Sequence, residues 1–157
     1  MSRELAIKIQ LGLEELTTIR EQFQPLIAIS SGAEASVIET AAACAMLHSF
    51  YTEIEKILKL VAREWDGVSP SSDSWHKDLL IQMSRTDQKR PAVVSAALVE
   101  VLSEFLAFRH LFRGASIVLM RWEKLFPLVA KVDPTYNQAR DEINAFVRFI
   151  ESESKPI

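Results

Sequence analysis

The sequence predicts an all-α protein, an up-and-down bundle of about five to six helices. Glycine and proline number only 4 and 6 in 157 residues, and most fall between periodic stretches rather than inside them. Apolar residues recur along those stretches at steps of three and four, the helical period. No run alternates apolar and polar residues, and no Asn-Gly or Asp-Gly turn joins two β-like runs.

The first helix is expected from about Arg3 to Ile29, with Leu5, Ile9, Leu13, Leu16, Ile19, Phe23 and Leu26 on one face. Pro25 should weaken its last turns, and Ser30-Ser31-Gly32 should break it. A second helix, roughly Glu34 to Trp65, carries the clearest seam: Leu47, Tyr51, Ile54, Leu58, Val61 and Trp65. Residues 66–74 hold Gly67, Pro70 and several serines and read as a loop, followed by a short helix from Trp75 to about Ser84 capped by Asp73 or Ser74. Arg85 to Arg90 is a polar connection, and Pro91 suits the first turn of the next helix. That helix repeats the spacing through Val94, Leu98, Val101, Phe105, Phe108 and Phe112 until Gly114 interrupts it. Ile117 to Lys131 reads as helical again, with Pro127 bending it or ending it early. A last helix starts near Asp133-Pro134 and carries Ile143, Phe146, Phe149 and Ile150.

Composition narrows the classes of function. Hydrophobic residues make up 48% and charged residues 25%, and one domain spanning residues 1–157 is expected to bury a core unaided. Eighteen basic against 21 acidic residues leave a net charge of −3, which gives no overall electrostatic case for coating DNA, RNA or a membrane, although a local basic groove fits within it. Cys44 is the sole cysteine, so an internal disulfide and a cysteine-rich zinc site are excluded. No apolar run approaches the roughly 18 residues of a membrane span, and the first residues lack a signal layout, so a soluble cytoplasmic protein is expected.

Few residues suggest chemistry on their own. Cys44 and His48 are four apart, which is metal-ligand spacing, but two ligands do not make a site, and a buried thiol beside a packed imidazole is the expectation. His76 reads as a local packing or hydrogen-bonding residue, and Glu53, Glu55, Glu14 and Glu15 as solvent-facing or helix-pairing acids. The denser cluster is Arg109-His110-Leu111-Phe112-Arg113-Gly114. Arg109 and Arg113, one turn apart, share a face, with Arg121 and Lys124 one segment later. Such a cluster is either a solvated basic edge or a phosphate site.

Four ordered segments go further: 47–56 (Leu-His-Ser-Phe-Tyr-Thr-Glu-Ile-Glu-Lys), 75–80 (Trp-His-Lys-Asp-Leu-Leu), 90–95 (Arg-Pro-Ala-Val-Val-Ser) and 108–113 (Phe-Arg-His-Leu-Phe-Arg). Their order and spacing resemble the HepT-like ribonuclease toxins of the HEPN superfamily, over roughly residues 40 to 150. The resemblance implies a HEPN-like homodimer in a toxin–antitoxin system, partnered by a minimal nucleotidyltransferase antitoxin and acting on RNA without metal or cofactor. It also implies an active-site motif of an arginine, four intervening residues, a histidine, and a tyrosine two residues later. In that motif the arginine holds the scissile phosphate, the histidine is the acid–base group, and the tyrosine takes adenylate from the antitoxin. The arginine falls on Arg109, with Arg113 as a second phosphate-binding candidate, but the histidine position is Gly114 and the tyrosine position is Ser116. Glycine has no proton to transfer, and a serine hydroxyl lacks the reach and acidity of a phenol. His110 is the nearest imidazole to stand in, although it points about 100° away from Arg109 around the helix. The resemblance therefore implies a ribonuclease that is weakened or inactive, or a binding module that holds a nucleotidyltransferase or RNA without cleavage.

Overall fold

A computed structural model describes residues 2–29, 34–114 and 116–154, and among these every regular element is helical. Helix α1 (Ser2–Gln22) ends in a turn at Phe23, and a single turn, α2 (Gln24–Ile27), follows with Pro25 in its first residues. The long first helix thus stops short of Ile29, where proline removes a backbone donor. The proposed breaker Ser30-Ser31-Gly32 lies outside the described residues.

Helix α3 (Val37–Val61) is the central element, packed by α1, α5 (Ala96–Gly114), α6 (Trp122–Val129) and the shorter α4 (Trp75–Met83). It starts three residues later than Glu34 because Ser36 and Glu39 form a reciprocal capping box: the Glu39 backbone N–H donates to Ser36 Oγ, and Ser36 N–H donates to Glu39 Oε1. Its C-terminus widens into a π-turn over Ala62–Asp66, closed by Gly67 in the left-handed region at φ +73°. Phe50 on α3 packs on Phe105 of α5 with ring centroids 5.2 Å apart, in the middle of the core. Helix α7 (Val132–Glu153) closes the bundle against α1 and α5. Thr17 Oγ1 meets Tyr136 Oη at 2.6 Å and Arg20 Nε donates to Asp133 at 2.8 Å, which fixes α7 along α1.

Several boundaries differ from the sequence expectation for identifiable reasons. Ser74 sits at the N-cap position of α4 but makes no capping bond; its hydroxyl and that of Ser72 donate instead to the Asp78 carboxylate. Pro91 is not in the first turn of α5. It lies in an irregular link, in which Val93 and Val94 form a bend, are buried and donate their backbone N–H groups to the Met83 carbonyl. Helix α5 begins only at Ala96, where Ser95 Oγ accepts from Leu98 N–H.

The link is held by Arg90, 4% exposed, whose guanidinium donates to both Asp66 oxygens at 2.6 and 2.7 Å and to the carbonyls of Arg85, Pro91 and Gln82. The stretch read as one helix from Ile117 is a 3₁₀ turn, Ile117–Leu119, followed by α6, which contains Pro127 and ends two residues beyond it. No helix among the described residues is long and apolar enough to cross a membrane.

Candidate functional site

The core-facing residues of α5 are Leu98, Leu102, Phe105, Leu106 and Arg109. Steps of four, three and four therefore carry an arginine into the apolar stripe, whereas Val101, Phe108 and Phe112 are only half-buried. Arg109 is 5% exposed, so it is not part of a solvated basic edge. A buried guanidinium needs a counter-charge and acceptors. Both come from α3, where Glu55, 6% exposed, lies one turn after Tyr51 on the face turned towards α5.

Arg109 and Glu55 form a bidentate pair: Nη1 donates to Oε1 and Nη2 to Oε2, each at 3.1 Å. Nη1 also reaches Thr52 Oγ1 at 3.4 Å, and the guanidinium lies 4.9 Å from the centre of the Tyr51 ring. A third group joins from α4. His76 Nδ1 is 2.7 Å from Glu55 Oε2 and 2.7 Å from Arg109 Nη2. The His76 ring stacks on Trp75 at 3.6 Å between centroids and meets the exposed His110 ring edge-on at 5.8 Å. Trp75 also lies under Lys59, whose Nζ is 4.5 Å from its ring centre.

Polar atoms without a protein partner collect around this triad. Arg109 Nε, Tyr51 Oη and His48 Nδ1 are buried and unpaired, in contrast to Arg90, whose contacts are purely structural. Burial, followed by the nearby Glu55 carboxylate, pushes the Tyr51 phenol far above its ordinary range, so it is a neutral hydroxyl at any physiological pH. Burial, then the positive charges of Arg109 and Arg113, push the His48 imidazole down and favour its neutral form.

The other sequence-predicted residues fall as follows. Arg113 is exposed and does not share Arg109's buried face. His110 is exposed and touches the triad only through His76. Gly114 is the exposed last residue of α5, and a Cβ added there would meet nothing within 4 Å. Ser116 is exposed in the following segment, where its carbonyl accepts from Leu119 N–H. Arg121 and Lys124 are exposed. Cys44 is buried, with its thiol pushed up by desolvation, and no cluster of three metal-ligating side chains exists among the described residues. Of the two readings offered for Glu53 and Glu55, burial removes the solvent-facing one; Glu55 pairs α3 with α5 through Arg109, and Glu53 accepts from Lys56 on its own helix.

The sequence marked Glu55 only as one of several solvent-facing or helix-pairing acids and His76 as a local packing or hydrogen-bonding residue. The legible signal was register: Tyr51 to Glu55 is one turn on a buried face, and Phe105 to Arg109 is the same step on the facing helix. Two opposite charges on facing buried registers pair, because neither is stable there alone.

Chemically, the arrangement holds a guanidinium oriented by a carboxylate, with an imidazole at its edge. It lacks an imidazole or phenol at Gly114 and Ser116. No curated protein and no solved structure matches this chain. A family model described as HepT-like protein matches residues 42–150, a span that includes Glu55, His76, Arg109, Gly114 and Ser116. The chain belongs to the HepT-like protein family.

Proposed function

We propose that this chain is a HepT-like toxin-family protein of a toxin–antitoxin system, descended from a metal-independent endoribonuclease whose cleavage is here weakened or lost. It works as a cytoplasmic homodimer of one HEPN-like domain, with a minimal nucleotidyltransferase as its antitoxin partner. The observation that carries this reading is Gly114: the motif position that should supply the acid–base imidazole holds no side chain, within a family match that covers most of the chain.

Cleavage through the RNA 2′-hydroxyl needs a group to take its proton and a group to stabilise the charged phosphate. Arg109 is the candidate for the second role. A positioned general acid–base group contributes about 10²–10⁴-fold, so its loss alone lowers turnover by about that factor. His110, exposed beside His76, is the imidazole available to replace it.

A second reading is a binding module that holds the nucleotidyltransferase or RNA without cutting. The bidentate Arg109–Glu55 pair favours it, because a guanidinium already bound to a carboxylate presents little free charge to a scissile phosphate. The test is cleavage of total RNA and tRNA without added metal, native protein against Arg109→Ala. Weak cleavage lost in Arg109→Ala supports a residual ribonuclease, and silence in both supports the binding module. Robust cleavage that survives Arg109→Ala overturns both readings of the motif.

A further inference from the structure

The three histidines stand differently towards the motif position that holds glycine. His110 is exposed about 100° away from Arg109 around α5, and His76 is engaged by Glu55 and Arg109. His48 comes from the facing helix. It begins a stripe on α3, His48, Thr52 and Glu55, spaced four and three apart. Thr52 Oγ1 and the Glu55 carboxylate both accept from Arg109, so the stripe runs along the last turns of α5. At its other end the His48 imidazole meets Phe112, two residues before Gly114, with ring centroids 6.2 Å apart. We infer that His48 supplies, from α3, the acid–base imidazole that Gly114 lacks on α5, with the exposed Arg113 as the ligand for phosphodiester oxygens. This rests on the reading of the chain as a weakened ribonuclease and names the group behind the residual reaction. Arg109 stays paired with Glu55; it holds α3 against α5 and so positions His48, and no substrate atom has to reach its buried guanidinium.

The His48 ring is half-buried, with Nδ1 inside and without a partner, so the edge that reaches solvent is the opposite one. No hydrogen bond on Nδ1 holds one tautomer, which leaves the outer nitrogen, Nε2, open to accept a proton. Burial, then the charges of Arg109 and Arg113, keep the ring neutral, the form a base needs. In the step, the RNA 2′-hydroxyl gives its proton to His48 Nε2, its oxygen bonds to phosphorus, and the P–O5′ bond breaks. The departing 5′-oxygen takes a proton from water, and the hydroxide so formed removes the proton from the imidazolium. The products are a 2′,3′-cyclic phosphate and a 5′-hydroxyl. His48 lacks the third group that orients a dedicated base, in keeping with a slow reaction.

The test is metal-free cleavage of total tRNA, with protein in excess and long incubation so that weak turnover is read. Native protein should give slow cleavage with 2′,3′-cyclic phosphate ends. His48→Gln and His48→Ala should each lose about 10²-fold. Imidazole added to the His48→Ala reaction should restore part of the rate, which separates a lost proton acceptor from a lost fold. His110→Gln should keep the native rate, and Arg113→Ala should raise KM. Native-rate cleavage by His48→Gln, loss in His110→Gln instead, or no recovery of His48→Ala with imidazole overturns the assignment. Silence of native protein overturns it as well, and leaves the chain as a ribonuclease whose cleavage is lost or as a binding module.

Discussion

Replacing Glu55 by Gln is the sharpest perturbation of the buried pair. The two side chains are 6% and 8% exposed, and the carboxylate receives both guanidinium bonds and lies 2.7 Å from His76 Nδ1. Glutamine keeps the shape and one acceptor oxygen but removes the counter-charge, which leaves a cation in the core. Two unit charges about 4 Å apart attract by about 4 kcal/mol at an effective dielectric of 20, and one-sided disruption of buried pairs costs about 3–5 kcal/mol. The residual amide acceptor and the Tyr51 ring place the expected loss near the lower end, about 3 kcal/mol. For a chain of this size, that lowers Tm by roughly 6–12 °C. Thermal and urea unfolding of native, Glu55→Gln, Arg109→Leu and Glu55→Leu/Arg109→Leu proteins reads it directly. The double variant should regain most of the loss, because it leaves no unpaired buried charge. A Glu55→Gln protein within about 1 °C of native would mean that the guanidinium is solvated and the pair contributes nothing.

Other positions give independent tests. Gly12→Ala should destabilise by about 1 kcal/mol in urea unfolding despite the better helix propensity of alanine, because its Cβ would sit 2.7 Å from Ile57 Cγ1 at the α1–α3 contact. Ser36→Ala removes the capping box of the central helix and should cost about 1 kcal/mol by the same measurement. Burial alone would raise the Asp66 carboxyl, but the Arg90 and Gln82 hydrogen bonds outweigh it and hold it below the usual range. Its stabilisation is therefore present above the ordinary carboxylate pKa and lost as pH falls through the depressed folded value. Asp66→Asn should cost about 3 kcal/mol at pH 7 and lessen the acid dependence of urea unfolding between about pH 5 and 2.

Helix existence was legible in the chain because the apolar period runs through all the long elements, and α3 and α7 match it closely. Boundaries failed where side chains satisfy the backbone or each other in ways that local pattern does not encode. Val94 continues the apolar period into α5, yet it packs from an irregular link that Arg90 and Asp66 hold in place across 24 positions. The motif positions Arg109, Gly114 and Ser116 come from the family resemblance and not from spacing or periodicity. The state of Arg109 was not legible, because Glu55 lies 54 positions away and His76 lies 33 away on a third helix. Placing the apolar stripe of α5 through Leu98, Leu102 and Phe105 instead of Val101 and Phe108 puts Arg109 inside, and from there a buried carboxylate partner follows.

The most direct measurement is cleavage of total RNA without metal by native protein and by the Gly114→His, Ser116→Tyr variant, each with and without Arg109→Ala. A Cβ added at Gly114 meets nothing within 4 Å, so the backbone there accepts a side chain. The expected result is little or no cleavage by native protein, cleavage higher by about 10²-fold or more in the double variant, and its loss when Arg109→Ala is added. Robust native cleavage, or a double variant that folds like native protein and stays silent, would contradict the claim that the missing imidazole and phenol are what weakened this protein as a ribonuclease.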